Sequence, residues 1–260
     1  MKLLTNLLVA AIIIGGSTFK SHAQEEEQKT EKLMIHVDHV FPSKAAQYEE
    51  ANNGFVEALK KHGVENADSW THTQSNGDYM HVSQIEKMAD LDNPPFMELQ
   101  EKMGKEAWDA MYAKFDGTYM DHESYIVNFH PEKSHNIDQL GAEGVDYRVW
   151  DFNFFEDRHW KEVMDLSKRW KELYESNNIE SGYGIYTNGF GYPGPVIVIL
   201  GWAKSPAEYH AQVEKNQAIL GEDAKKLWEE TVKYIYKRET LDGWFRPDLS
   251  YITADPAASN

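Results

Sequence analysis

Polar and apolar residues alternate through LMIHVDHVF (33–41), with Ile35, Val37 and Phe41 set against Met34, His36 and Asp38. That period of two predicts a strand. The period then changes. In PSKAAQYEEANNGFVEALKKHG, Tyr48, Ala51, Phe55 and Leu59 recur at helical spacing, and Gly63 is a stop signal. DSWTHTQ and YMHVSQI predict two strands around SNGD, where Asn-Gly favours a hairpin. DNPPFMELQEKMGKEAWDAMYAKF predicts a second helix, with Asn93 as N-cap and Pro94 at its first position. ESYIVNFH closes the cycle as a strand.

The same cycle returns after KSHNIDQLGAEGVD (133–146), a polar, glycine-containing linker. YRVWDFNFF (147–155) predicts a strand, and Val163, Leu166, Trp170 and Leu173 mark one face of a helix. SGYGIYTN and PVIVILGWA predict two more strands. SPAE opens a long helix as a capping box on Ser205 and Glu208, with a break near Gly221 that matches Gly104 in the first half. The endings also match. A step of 116 residues takes His122 to Arg238, Glu123 to Glu239, Ser124 to Thr240, Phe129 to Phe245, His130 to Arg246, Pro131 to Pro247 and Glu132 to Asp248. The order is therefore βαββαβ twice, over residues 33–132 and 147–251, with a tail at 252–260. Two helices cover one face of each four-stranded sheet, and a second copy covers the other. The expectation is an α+β protein in which two tandem ferredoxin-like units pack sheet to sheet as an intrachain α/β barrel. Since such a pair completes itself, a monomer is expected.

This arrangement, with its repeated F[HR]P[ED] ending and its Asn-Pro and Ser-Pro helix starts, resembles the dimeric α/β-barrel superfamily over residues 33–251. The resemblance implies relatives such as NIPSNAP-like and EthD-like proteins, quinone-forming monooxygenases and haem-binding enzymes related to chlorite dismutase. It transfers no catalytic residue to this chain.

Composition narrows the setting. MKLLTNLLVAAIIIGG followed by SHAQ reads as a signal peptide over 1–23, with Ser21 and Ala23 at the small-residue positions before cleavage. EEEQKTEK and its neighbours make 24–32 a polar linker. The expectation is an exported protein, periplasmic or extracellular, with no membrane span after cleavage. The absence of cysteine excludes disulfides, thiolate catalysis and cysteine-ligated metals. Removing Lys2 and Lys20 but no acid takes the net charge from −17 to −19, which repels nucleic acid and anionic membranes.

The chemistry concentrates in the first unit. If Ile35, Val37, Met80 and Val82 face the helices, the opposite set of His36, Asp38, Trp70, His72, Tyr79 and His81 lines the barrel interior. That set suits a small-molecule ligand. Its subset His36, Asp38, His72 and His81 suits a divalent metal, or acid–base chemistry. The second unit offers aromatics, Trp150 and Phe152 among them, and no matching histidines. Haem would need a proximal histidine on a helix, which leaves His159 and His210. Three functions stay open: a small-molecule-binding barrel, a metal- or haem-dependent oxygenase or isomerase, and a non-catalytic scaffold. GFGYPGP (189–195) lacks the spacing of a phosphate loop and reads as a shaped loop able to cover a pocket.

Overall fold

The computed structural model describes residues 30–253; the signal-peptide reading, most of the polar linker and most of the tail fall outside them. The first cycle runs β1 (Glu31–Val40), α1 (Ala45–His62), β2 (Trp70–Gln74), β3 (Tyr79–Ile85), α2 (Pro95–Met103), α3 (Lys105–Tyr112) and β4 (Tyr119–Phe129). The second runs β5 (Tyr147–Phe155), α4 (Trp160–Ser176), β6 (Tyr183–Asn188), β7 (Val196–Ala203), α5 (Pro206–Thr231) and β8 (Ile235–Phe245). The eight strands close into one antiparallel barrel in the order β1-β3-β2-β8-β5-β7-β6-β4. The glycines set the helix breaks. Gly104, at φ 79°, separates α2 from α3, and Gly221, at φ 52°, kinks α5. The expected second helix starts one residue late, with Pro94 in the N-cap place. Ser205 caps α5 as predicted, accepting from Glu208 N at 3.2 Å.

The barrel closes where the last strand of each cycle meets the hairpin of the other: β4 pairs with β6, and β8 with β2. A Cβ on Gly243 would lie 1.9 Å from Thr73 O, so glycine is what lets β8 approach β2. The repeated ending fastens both seams in the same way. His130 and Arg246 share φ −118° and ψ 82° and lead into one-turn 3₁₀ helices. Ser134 Oγ then accepts from Ile185 N, and Ser250 Oγ from Thr71 N, each at 2.9 Å in the opposite cycle. His135 bridges Tyr183, and Tyr251 bridges Ser69. Each of the two endings thus fastens one half of the barrel to the other.

The interior is apolar. Ile35, Val37, Met80 and Val127 from one sheet meet Trp150, Phe154, Val196, Val198 and Leu200 from the other. The alternation was therefore placed one face out. Ile35, Val37, Met80 and Val82 point into the barrel, and His36, Asp38, Tyr79 and His81 point outward, toward α1. Both faces of each sheet are covered, so alternation alone does not say which is inner. The meeting of two sheets excludes water most completely and takes the most apolar set. Tyr192 of the 189–195 loop packs on Tyr125 and Phe152 at one barrel end. Leu140 and Val145 of the linker pack against the core as well.

Candidate functional site

The outward face of β3-β1-β4 brings together residues far apart in sequence. Register sets His36 beside His81 on β3 and Ser124 on β4, and Asp38 beside Tyr79 and His122. A bulge between Asp38 and Val40 follows, and His39 there reaches Asp78 at 3.1 Å. Burial works against the charged form of His39, but the Asp78 hydrogen bond and charge outweigh it and raise its pKa.

His36, Asp38 and His122 each offer a ligand atom within 4.8 Å of the other two. His36 Nε2 lies 3.2 Å from Asp38 Oδ1, close to the separation of about 3 Å between adjacent ligands on an ion at about 2.1 Å. The outer partners suit this use. His36 Nδ1 lies 2.8 Å from Ser124 Oγ, so shifting the ring proton from Nε2, where it bonds Asp38, to Nδ1, where Ser124 accepts it, would free the Nε2 lone pair for an ion. Tyr48, fully buried on α1, donates to Asp38 Oδ2 at 2.5 Å. Burial pushes the Asp38 carboxyl up, yet hydrogen bonds from His36 and Tyr48 and the nearby imidazoles hold it below the ordinary carboxylate value. Asp38 is buried, while His36 is 39% exposed and His122 lies at the surface, so the site opens on one side.

His81 supports the site from beneath. Thr71 donates to Leu249 O at 2.8 Å, so its oxygen accepts from His81 Nδ1 at 3.0 Å. His81 Nε2 then faces Tyr48 Oη at 2.8 Å. Burial lowers the His81 pKa to about 4 despite the attraction of Asp38, so the ring is neutral. The single phenolic proton of Tyr48 thus lies between a carboxylate and an imidazole lone pair. Burial and Asp38 both raise the Tyr48 pKa and keep that proton in place.

Two of the expected residues are elsewhere. Trp70 pairs with Val82 and His72 with Met80, both interior positions. His72 packs on Trp150 and Phe245, and burial drives its pKa down to about 3. The hairpin explains this. Gln74 N bonds Asp78 O, leaving Ser75, Asn76 and Gly77 as a three-residue loop with Gly77 at φ 94°. That loop places Thr73 opposite Tyr79, one residue away from a register that would align His72 with His81. The predicted ligand set of His36, Asp38, His72 and His81 therefore does not assemble in the interior. His122 takes the third ligand place. Its signal was the alternation of His122 with Ser124 on the strand that flanks β1 in a βαββαβ sheet.

Haem does not fit the histidines proposed for it. His210 is exposed on α5, and His159 lies at the α4 N-terminus against Tyr234. Two surface grooves, of about 340 and 600 Å³, lie on the second cycle and linker, lined largely by polar residues, and contain neither histidine.

No protein-family model matches the sequence, and no curated protein matches it. Solved structures do. An anthrone oxidase-like protein superposes with a TM-score of 0.58 at 13% identity, covering 90% of this chain and 98% of that chain. A proposed monooxygenase from Fusobacterium nucleatum subsp. nucleatum gives 0.53 at 13% identity, covering 84% and 93%. A chlorite dismutase variant from Candidatus Nitrospira defluvii gives 0.51 at 8% identity, covering 84% and 92%. At such identities the likeness is one of fold: the chain has the dimeric α/β-barrel fold within a single polypeptide.

Proposed function

We propose that this protein binds one first-row divalent ion through His36, Asp38 and His122 and uses it as an oxygenase-type enzyme on a small molecule. The observation that carries the reading is the convergence of two imidazoles and one carboxylate on the outward face of β1 and β4. Two histidines and a carboxylate with open positions are the donor set of non-haem iron(II) oxygenases. A bound iron(II) would supply the redox chemistry with dioxygen. The chain's own residues orient the ligands: Ser124 holds the His36 ring, and Tyr48, backed by His81, Thr71 and Leu249 O, holds the Asp38 carboxylate. The fold neighbours named for oxidation agree with this choice without establishing it. The leader motif supports export, which N-terminal sequencing of protein recovered from its cells would test; a chain beginning at Met1 rather than Gln24 would refute it.

Anaerobic titration with cobalt(II), a spectroscopic stand-in for iron(II), tests the site. The expected result is saturation at one equivalent with visible ligand-field bands, lost in His36→Ala and His122→Ala variants whose circular dichroism is unchanged. Absence of saturable binding, or binding that survives both substitutions, would sink the proposal.

A further inference from the structure

The barrel covers its sheet faces within one chain, which is why a monomer is the expectation from sequence, but it leaves two strand edges open. β4 pairs with β1 along its whole length, from Tyr119 opposite Val40 to Phe129 opposite Glu31. On its other side it pairs with β6 only over residues 127–129. The 189–195 loop continues that edge. Its Phe190 O accepts from Ile126 N, and a Cβ on Gly191 would lie 3.3 Å from Ser124 O, so the cover reaches Ser124. β8 repeats the pattern. It pairs with β5 from Ile235 to Trp244, but with β2 only over residues 243–245, with one further bond from Ser75 N to Asp242 O. Among the described residues, the backbone of 119–123 and of 235–241 has no partner on that side.

Both edges open at the same barrel mouth. β4 and β8 stand four places apart in an eight-strand ring whose neighbours are all antiparallel, so they run in the same direction and begin at the same end. Residues 120–124 and 236–240 are exposed without a break, whereas a strand inside the wall buries alternate side chains. The three most exposed large apolar side chains among the described residues lie here: Phe190 at 75%, Met120 at 68% and Tyr236 at 64%. An open edge beside apolar side chains is a template for another strand, and neither run carries the proline that commonly blunts one. The two runs differ in charge. MDHES has Asp121 and Glu123 and neither Lys nor Arg, while YKRET has Lys237 and Arg238 against Glu239. Arg238 is held by Asp151, but the pair of Lys237 with Glu239, at 2.9 Å, is half exposed on both sides and is readily exchanged.

We infer that two copies of this chain join mouth to mouth, β4 of each adding to the free edge of β8 of the other. A two-fold axis across the barrel axis makes both contacts at once and closes the dimer. It sets the added strands antiparallel with their inward faces on the same side. Asp121 and Lys237 share the inward phase, since Glu123 pairs with Val37 and Lys237 with Phe154, both core residues. Asp121 of one copy then lies opposite Lys237 of the partner subunit, Met120 opposite the partner's Arg238, and His122 opposite the partner's Tyr236. Pairing β4 with its own copy would oppose acids to acids, so charge selects the contact between β4 and β8. The contact also takes Met120 and Tyr236 out of water. It lies in the plane of the sheet, while His122 projects from the face, so it does not rest on the metal reading.

The test is sedimentation velocity on the protein as recovered from its cells, over a micromolar concentration series, with a charge-swap cycle. The expected result is a reversible dimer. Asp121→Lys and Lys237→Asp should each weaken association by about tenfold or more, because either change places like charges together at both contacts, and the double variant should restore it. Both positions are exposed, so circular dichroism should show each variant folded. Hydrogen exchange gives a second reading: amides of 119–123 and 235–239 should gain protection as concentration rises. A monomer at every concentration, a dimer indifferent to both single swaps, or a double variant no better than the singles would overturn the inference.

Discussion

The two halves of the barrel place different chemistry on equivalent positions. Where β1 and β4 carry His36, Asp38, His122 and Ser124, β5 and β8 carry Asp151, Asn153, Arg238 and Thr240 in the same register. Where β3 and α1 offer His81 and Tyr48, the second half has Ile199 and Val163. The second half neutralises itself. Arg238 donates to Asp151 at 2.5 Å and to Asn153 at 3.1 Å, lies over Trp228, and leaves Asp151 also bonded to Thr240. The first half has no such cation, and its carboxylate is met by imidazoles and a phenol. One surface is closed by an internal ion pair, and the other is left able to accept an external cation. The shared fold sets the positions; the residue on the fourth strand decides whether a site exists.

The sharpest way to break this contrast is to remove the carboxylate. Asp38→Ala should weaken cobalt(II) binding by at least about 100-fold in a titration, since two imidazoles alone hold a divalent ion poorly. Retained affinity would place the site elsewhere. The most informative change imports the second half's solution. His122→Arg should abolish metal binding with little change in Tm, by setting a guanidinium beside Asp38, its partner in the register, where Arg238 in the second half bonds its own partner Asn153 and the nearby Asp151; a large fall in Tm would refute this pairing. Tyr48→Phe deletes the hydroxyl between Asp38 and His81. It should cost about 1–3 kcal/mol in denaturant melts and about 10-fold or more in metal affinity. A stability loss with metal affinity unchanged would make Tyr48 purely structural.

The smallest effect lies in the repeated ending. Arg246 forks onto Glu49 of α1 and onto Asp248, whereas its counterpart His130 reaches Thr187 and Glu132. The Arg246 hydrogen bond holds Glu49 below its ordinary value of 4.5, and Asp248 is lowered for the same reason. Depressed carboxylates stabilise the fold above their unfolded pKa values and lose that contribution as pH falls through the folded ones. Arg246→Met should therefore cost about 1 kcal/mol at pH 7 and flatten the acid limb of a Tm-against-pH curve below about pH 4.5. An unchanged acid limb would show that the fork adds nothing.

The order of the elements, the helix break at Gly104 and the cap at Ser205 were legible in the chain, because each is a local pattern of period or cap. The residue types of the site were legible too, with His36, Asp38 and His81 among those singled out. Their surroundings were not. Strand alternation separates two faces but does not label them when both are covered, so His36 and Asp38 went outward to α1 and Ile35 and Val37 went inward. A hairpin loop of Ser75, Asn76 and Gly77 turned His72 to the opposite face from His81, a consequence of one residue of register. The partners that complete the site, His122, Ser124 and Tyr48, come from a strand and a helix joined to β1 only by folding. Local sequence determined which elements form and where they stop. Which residues meet was decided by the closure of the barrel, because pairing across strands depends on register and on the most apolar faces finding each other away from water.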